Sequence, residues 1–94
     1  MNLTKQQRIA ILEVTKEKLQ TSYGICYCIT VGYEEAMGIY ISPGPNVIHD
    51  HFPEFLKFKP RNKKRHGGFW WNVNRRRKRI RVVNKVIKEI QDGV

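Results

Sequence analysis

From Lys57 to Arg81 the chain contains no acid, although twelve Lys and Arg residues fall in that stretch. Residues 51–94 as a whole carry fourteen Lys/Arg against three acids, a balance of +11, whereas residues 1–50 carry four against five, a balance of −1. Like charges crowded into a small fold raise its free energy unless counter-ions or a partner neutralise them. The missing acids therefore point to a polyanionic partner: nucleic acid, a nucleotide or, less readily, an anionic membrane or an acidic protein.

Other absences narrow the class. Only two cysteines occur, Cys26 and Cys28, with one residue between them. That spacing strains an intrachain disulfide, and no second pair exists to staple a secreted scaffold, so a reducing, cytoplasmic setting is expected. The N-terminal segment Met1 to Gln7 lacks the basic-then-apolar order of a signal peptide. The longest weakly polar run, Tyr23 to Tyr33, falls well short of the ~20 residues that span a bilayer, so no membrane association is expected. No Ser-His-Asp signature, phosphate-binding P-loop, dinucleotide glycine fingerprint or internal repeat is present. His49, Asp50, His51, His66, Cys26 and Cys28 are metal-ligating types, but their spacing matches no standard zinc pattern. The chain thus reads as non-enzymatic, with no cofactor, no metal and no catalytic residue expected.

What is present suffices for one domain spanning residues 1–94. The chain is 40% apolar with ten aromatic residues, enough for a packed core. A chain this short buries only about 60–65% of its unfolded surface, which makes homo-oligomerisation a natural way to bury more.

The expected architecture is mostly α, a small single-domain protein of three to four helices. Thr4 with Gln7 three residues on fits a capping box, and Ile9, Leu12 and Leu19, flanked by Ile11 and Val14, recur at helical spacing; residues 5–20 are read as a helix. Residues 23–33 are ambiguous: alternation places Tyr23, Ile25, Tyr27, Ile29 and Val31 on one strand face, yet a buried helix suits the same apolar run. Glu34 to Ile41 reads as a short helix or a continuation interrupted by Gly38. Ser42 to Asn46 is a Pro/Gly loop, and Asn46 to His51 a single helical turn or irregular. Pro53 can open a further helix at its first position. A basic loop is expected over 57–68. The clearest element is the last, a helix over about 74–91, with Asn74 as N-cap, an apolar stripe of Ile80, Val83, Ile87 and Ile90 with Val86 beside it, and Gly93 beyond its end.

Arg75, Arg76, Arg77, Lys78 and Arg79 crowd the start of that last helix. A helix N-terminus already carries roughly +0.5 of an elementary charge, so each cation there is disfavoured by about 0.3–1 kcal/mol at low salt. A bound anion reverses the balance, because free backbone N–H groups, the dipole and guanidinium forks then converge on one phosphate. On the helical wheel Arg76 and Arg79 continue the core-facing stripe, while Arg77 and Lys78 point away. An inward guanidinium needs a partner: Glu34, Glu35 or Asp50 folding over to meet it, or a ligand. Lys63, Lys64 and Arg65 add charge upstream, and Gly67 and Gly68 allow close backbone approach to an anion. Phe69, Trp70 and Trp71 follow, as base-stacking candidates or, equally in keeping with their size, as core anchors.

The capped first helix, Gly-Ile-Cys-Tyr (24–27), Phe-Pro-Glu-Phe (52–55) and Gly-Phe-Trp-Trp (68–71) running into a C-terminal helix with Arg79-Ile80 together resemble small accessory proteins encoded by bacteriophages. The resemblance implies a mostly helical fold, favours helix for residues 23–33, carries over no catalytic residues, and implies a role in the host cytosol such as antagonising a host defence factor. The expected function is non-enzymatic binding of a phosphate-bearing nucleotide or nucleic acid. Two alternatives are sequestration of a small signalling (cyclic) nucleotide and inhibition of a host enzyme through the basic surface.

Overall fold

The computed structural model describes residues 3–21, 24–41, 50–58 and 76–93, and these are mostly helical, with no strand among them. Helix α1 spans Lys5–Leu19, α2 spans Ile25–Met37, a 3-10 helix spans Pro53–Phe58, and α3 spans Arg76–Asp92. Asp50 and His51 are also helical. The expected loop at 42–46 and the proposed Asn74 cap lie outside the described residues.

The capping box at the start of α1 is formed in full. Thr4 Oγ1 accepts from the Gln7 N–H at 3.1 Å, and Gln7 Oε1 accepts from the Thr4 N–H at 2.9 Å. Two of the N–H groups left open at the helix start are thereby satisfied, worth about 1 kcal/mol. Ile11, Leu12, Thr15 and Leu19 form the buried face, with Ile9 and Val14 half-buried at its edges.

For residues 25–37 the helix prevails over the strand. A strand would place Tyr27 on one face with Ile25 and Ile29; instead Tyr27 is 55% exposed while Ile25, Cys28, Ile29, Gly32 and Tyr33 are buried at helical spacing. Its neighbour α1 selects this outcome. A Cβ on Gly32 would lie 2.6 Å from the Ile11 carbonyl oxygen and 3.0 Å from Thr15 Oγ1, so the two helices cross almost backbone to backbone. Only glycine permits that approach. Thr15 fits into the crossing because its hydroxyl donates to the Ile11 carbonyl at 2.8 Å. Gly38, with φ of 69°, caps the helix in the left-handed region, and its N–H donates to the Glu34 carbonyl at 2.9 Å.

Phe52 and Phe55 bring the 3-10 segment into the same core, together with Val83, Val86, Ile87 and Ile90 from α3. Pro53 does open a helix, of the 3-10 kind. The basic loop expected from residue 57 is corrected at its beginning: Lys57 and Phe58 belong to the 3-10 helix. Phe58 packs against the core and Lys57 pairs with Glu89 of α3, which holds the segment in place. Gly93 follows α3 as expected, one residue past Asp92. Among the described residues no helix is long and apolar enough to cross a membrane.

Candidate functional site

The first turn of α3 begins at Arg76 and contains no acid. Arg79 is 3% exposed, Arg76 is half-buried, and Arg77 and Lys78 are exposed. The facing directions read from the sequence therefore hold: two arginines continue the stripe of Val83, Val86, Ile87 and Ile90, and two cations look outward. The amphipathic pattern imposes this, since positions three and four residues apart share a face and the apolar stripe fixes which face turns inward. Arg75, Lys63, Lys64, Arg65, Gly67, Gly68, Phe69, Trp70 and Trp71 lie outside the described residues. Of the proposed anion site, Arg76 and Arg79 are the members among the described residues.

Of the acids that could have folded over to this turn, Glu35 pairs with Lys18 at 2.8 Å, bridging α1 and α2. Its carboxylate, hydrogen-bonding and attracting the ammonium, raises the pKa of Lys18. Glu34 and Asp50 are exposed. Glu54 turns towards Arg8. Two parallel bonds, Nη1 to Oε2 at 2.9 Å and Nη2 to Oε1 at 2.6 Å, join the pair, and Nη2 also donates to the His51 carbonyl at 3.1 Å. The guanidinium carbon sits 5.0 Å over the Phe52 ring. Burial alone would raise the Glu54 carboxyl, but the Arg8 hydrogen bonds, its own backbone N–H and nearby positive charge outweigh burial and hold it below its usual value. Beside this pair, Tyr33 Oη and His51 Nδ1 lie 3.1 Å apart, joining α2 to the same cluster. Burial raises the Tyr33 phenol, opposed by the charge of Arg8.

No sequence pattern marked Arg8, Tyr33, His51 and Glu54 as partners, because Arg8 and Glu54 are 46 positions apart. Their role is to fasten α1, α2 and the 3-10 segment to one another. At the far end of α3, a cleft of about 380 Å³ is lined by Pro53, Glu54, Lys57, Glu89 and Gly93. Its charges are already matched, Glu54 with Arg8 and Lys57 with Glu89. Lys5 Nζ donates to the carbonyls of Gln91 and Gly93 at the end of α3, at 3.3 and 2.5 Å, where the helix dipole favours a cation. The charged groups that line this cleft are thus paired within the fold.

Cys26 and Cys28 are buried and not joined in a disulfide. Among the described residues no group of three or more His, Cys, Asp and Glu side chains is placed to hold a metal ion; His49 and His66 lie outside them. No family model, curated protein or solved structure matches the chain.

Proposed function

We infer that this protein is a non-enzymatic binder of a phosphate-bearing ligand, nucleic acid or nucleotide, engaged at the start of α3. One observation carries the reading: the first turn of α3 holds four consecutive cations, Arg76 to Arg79, and no acid, with Arg79 buried and Arg76 half-buried. The helix dipole and the cationic side chains there both favour a negative guest. A cytoplasmic setting accords with Cys26 and Cys28 not being joined in a disulfide. A phage-type role against a host defence factor rests on the sequence resemblance.

Titration with a DNA duplex, a single strand and several cyclic dinucleotides at two salt concentrations tests this. Arg76→Ala combined with Arg79→Ala removes binding, while Lys16→Ala, in the charge-balanced first half and paired with Glu13, leaves it intact. A circular dichroism melt on the same samples separates loss of site from loss of fold. A steep salt dependence identifies a polynucleotide. A shallow one with fixed stoichiometry identifies a small nucleotide held in a pocket. Undiminished affinity in the double variant rejects the site.

A further inference from the structure

Every exposed residue of α3 lies on one side of the helix. At 3.6 residues per turn, the exposed positions from Arg77 to Asp92 occupy an arc of about 140°, opposite the buried stripe. Arg77, Lys78, Arg81, Lys85 and Lys88 supply five cations on that arc, and Asn84 and Gln91 lie along one edge of it. Asp92, in the last turn, is the single acid there. From Arg77 to Lys88 the row runs about 16 Å along a straight axis. Among the described residues none of these five cations makes an ion pair; Lys85 lies 5.8 Å over the Phe58 ring, which leaves its charge uncompensated.

The composition of the face indicates its partner. Among the described residues its exposed positions are five cations, two amides and Asp92. None of these is an aromatic platform on which a single-strand binder stacks bases. None is a large apolar or aromatic anchor of the kind that dominates protein–protein binding energy, or an apolar side chain to enter a lipid interface. A surface equipped with charge and amide groups alone suits a partner recognised by regularly spaced phosphate. Duplex DNA presents one negative charge per about 1.7 Å of axis, and its major groove admits a helix.

The geometry points to the outer face of α3, through Arg77, Lys78, Arg81, Lys85 and Lys88, as a docking surface for the phosphate backbone of double-stranded nucleic acid. This deepens the proposed function, on which it rests for the ligand class, but uses side chains on the opposite side of the helix from Arg76 and Arg79. The duplex lies along the helix rather than capping its end.

The two sites are separated by fluorescence anisotropy with the full-length protein and a labelled DNA duplex of roughly 20 base pairs, over a series of salt concentrations. Each neutralised duplex phosphate contributes about −0.9 to the slope of log affinity against log salt, so Arg81→Gln with Lys88→Gln should flatten that slope by about 2 and lower affinity at least tenfold at moderate salt. The melting curve of this variant should match wild type. An unchanged slope and affinity overturns the docking face, and if Arg76→Ala with Arg79→Ala then abolishes binding, the helix-start site still stands. The converse result, with the stripe variant impaired and the helix-start variant unaffected, keeps the docking face and rejects the helix-start site. Tighter binding of a single strand, or equal binding of polyglutamate with the same loss in the stripe variant, overturns the duplex assignment in favour of an unstructured strand or an acidic protein.

Discussion

Helices α1 and α3 both carry several cations, yet they use them in opposite ways. On α1 each cation meets a partner within the fold: Lys5 the carbonyls ending α3, Arg8 the carboxylate of Glu54, Lys16 that of Glu13, Lys18 that of Glu35. On the outer face of α3, Arg77, Lys78, Arg81 and Lys88 make no ion pair with any described residue. Charge on α1 is therefore an internal fastening, and charge on the outer face of α3 is an outward field. The distinction follows from where acids fall: five of the eight lie in residues 1–50, and none between Lys57 and Arg81. Substitutions on the two helices should separate accordingly, with stability lost on one side and binding on the other.

The largest loss of stability should come from the α1–α2 crossing that sets Arg8 in place. Gly32→Val puts a branched side chain where a single Cβ already meets the Ile11 carbonyl oxygen at 2.6 Å. Backbone cannot yield there without separating the helices, so a cost of about 3 kcal/mol or more is expected in urea unfolding, at the upper end of overpacking penalties. If Gly32→Val melts like wild type, the close crossing is wrong. Arg8→Met comes next. It keeps the apolar contact with Phe52 but strands Glu54, whose side chain is only 23% exposed, for an expected loss of about 2 kcal/mol. Glu54→Gln should cost less, because the amide still accepts from the guanidinium.

Acid titration gives a finer version of the same test. The Glu54 carboxyl is held below its unfolded value, so the unfolded chain binds the proton more readily. Its contribution is present above the unfolded carboxylate pKa and disappears as pH falls through the folded one. Wild type should therefore lose more stability than Glu54→Gln between about pH 5 and pH 3, measured as the urea midpoint. Parallel curves would mean that the pair contributes nothing measurable to folding.

Much of this architecture was legible because it depends on local rules. The Thr4–Gln7 box needs only a three-residue spacing, and the α3 stripe declares both its period and the inward turn of Arg76 and Arg79. Residues 23–33 were not decidable locally, since an apolar run satisfies helix and strand alike; from Ile25 on, contact with α1 through Gly32 resolves them. The Arg8–Glu54–His51–Tyr33 cluster left no local trace, because side chains from three segments meet only once the chain has folded. Burial of Thr15, a polar residue in the crossing, was equally hidden, since its hydroxyl is satisfied by its own helix. Of the proposed anion site, the orientation of α3 could be read from periodicity, whereas the upstream glycines and aromatics belong to a segment without such a period and outside the described residues.

The smallest effect on stability is the most telling for function. Arg81→Gln and Lys88→Gln remove two exposed charges that touch no acid, and surface changes of this kind usually fall within about 0.5 kcal/mol of wild type. Here the sign should be favourable or neutral, because each substitution relieves repulsion among neighbours on the same arc, Arg77, Lys78 and Lys85. Repulsion between exposed charges is screened by salt, so any gain should be largest at low ionic strength and fade towards 0.5 M salt. A denaturation series at two salt concentrations checks this. A clear destabilisation independent of salt would show that these side chains serve the fold as Arg8 does, and the contrast between α1 and α3 would vanish. A neutral or salt-dependent gain would leave Arg81 and Lys88 with no role in holding the chain together, so that their presence has to be accounted for by what they meet outside it.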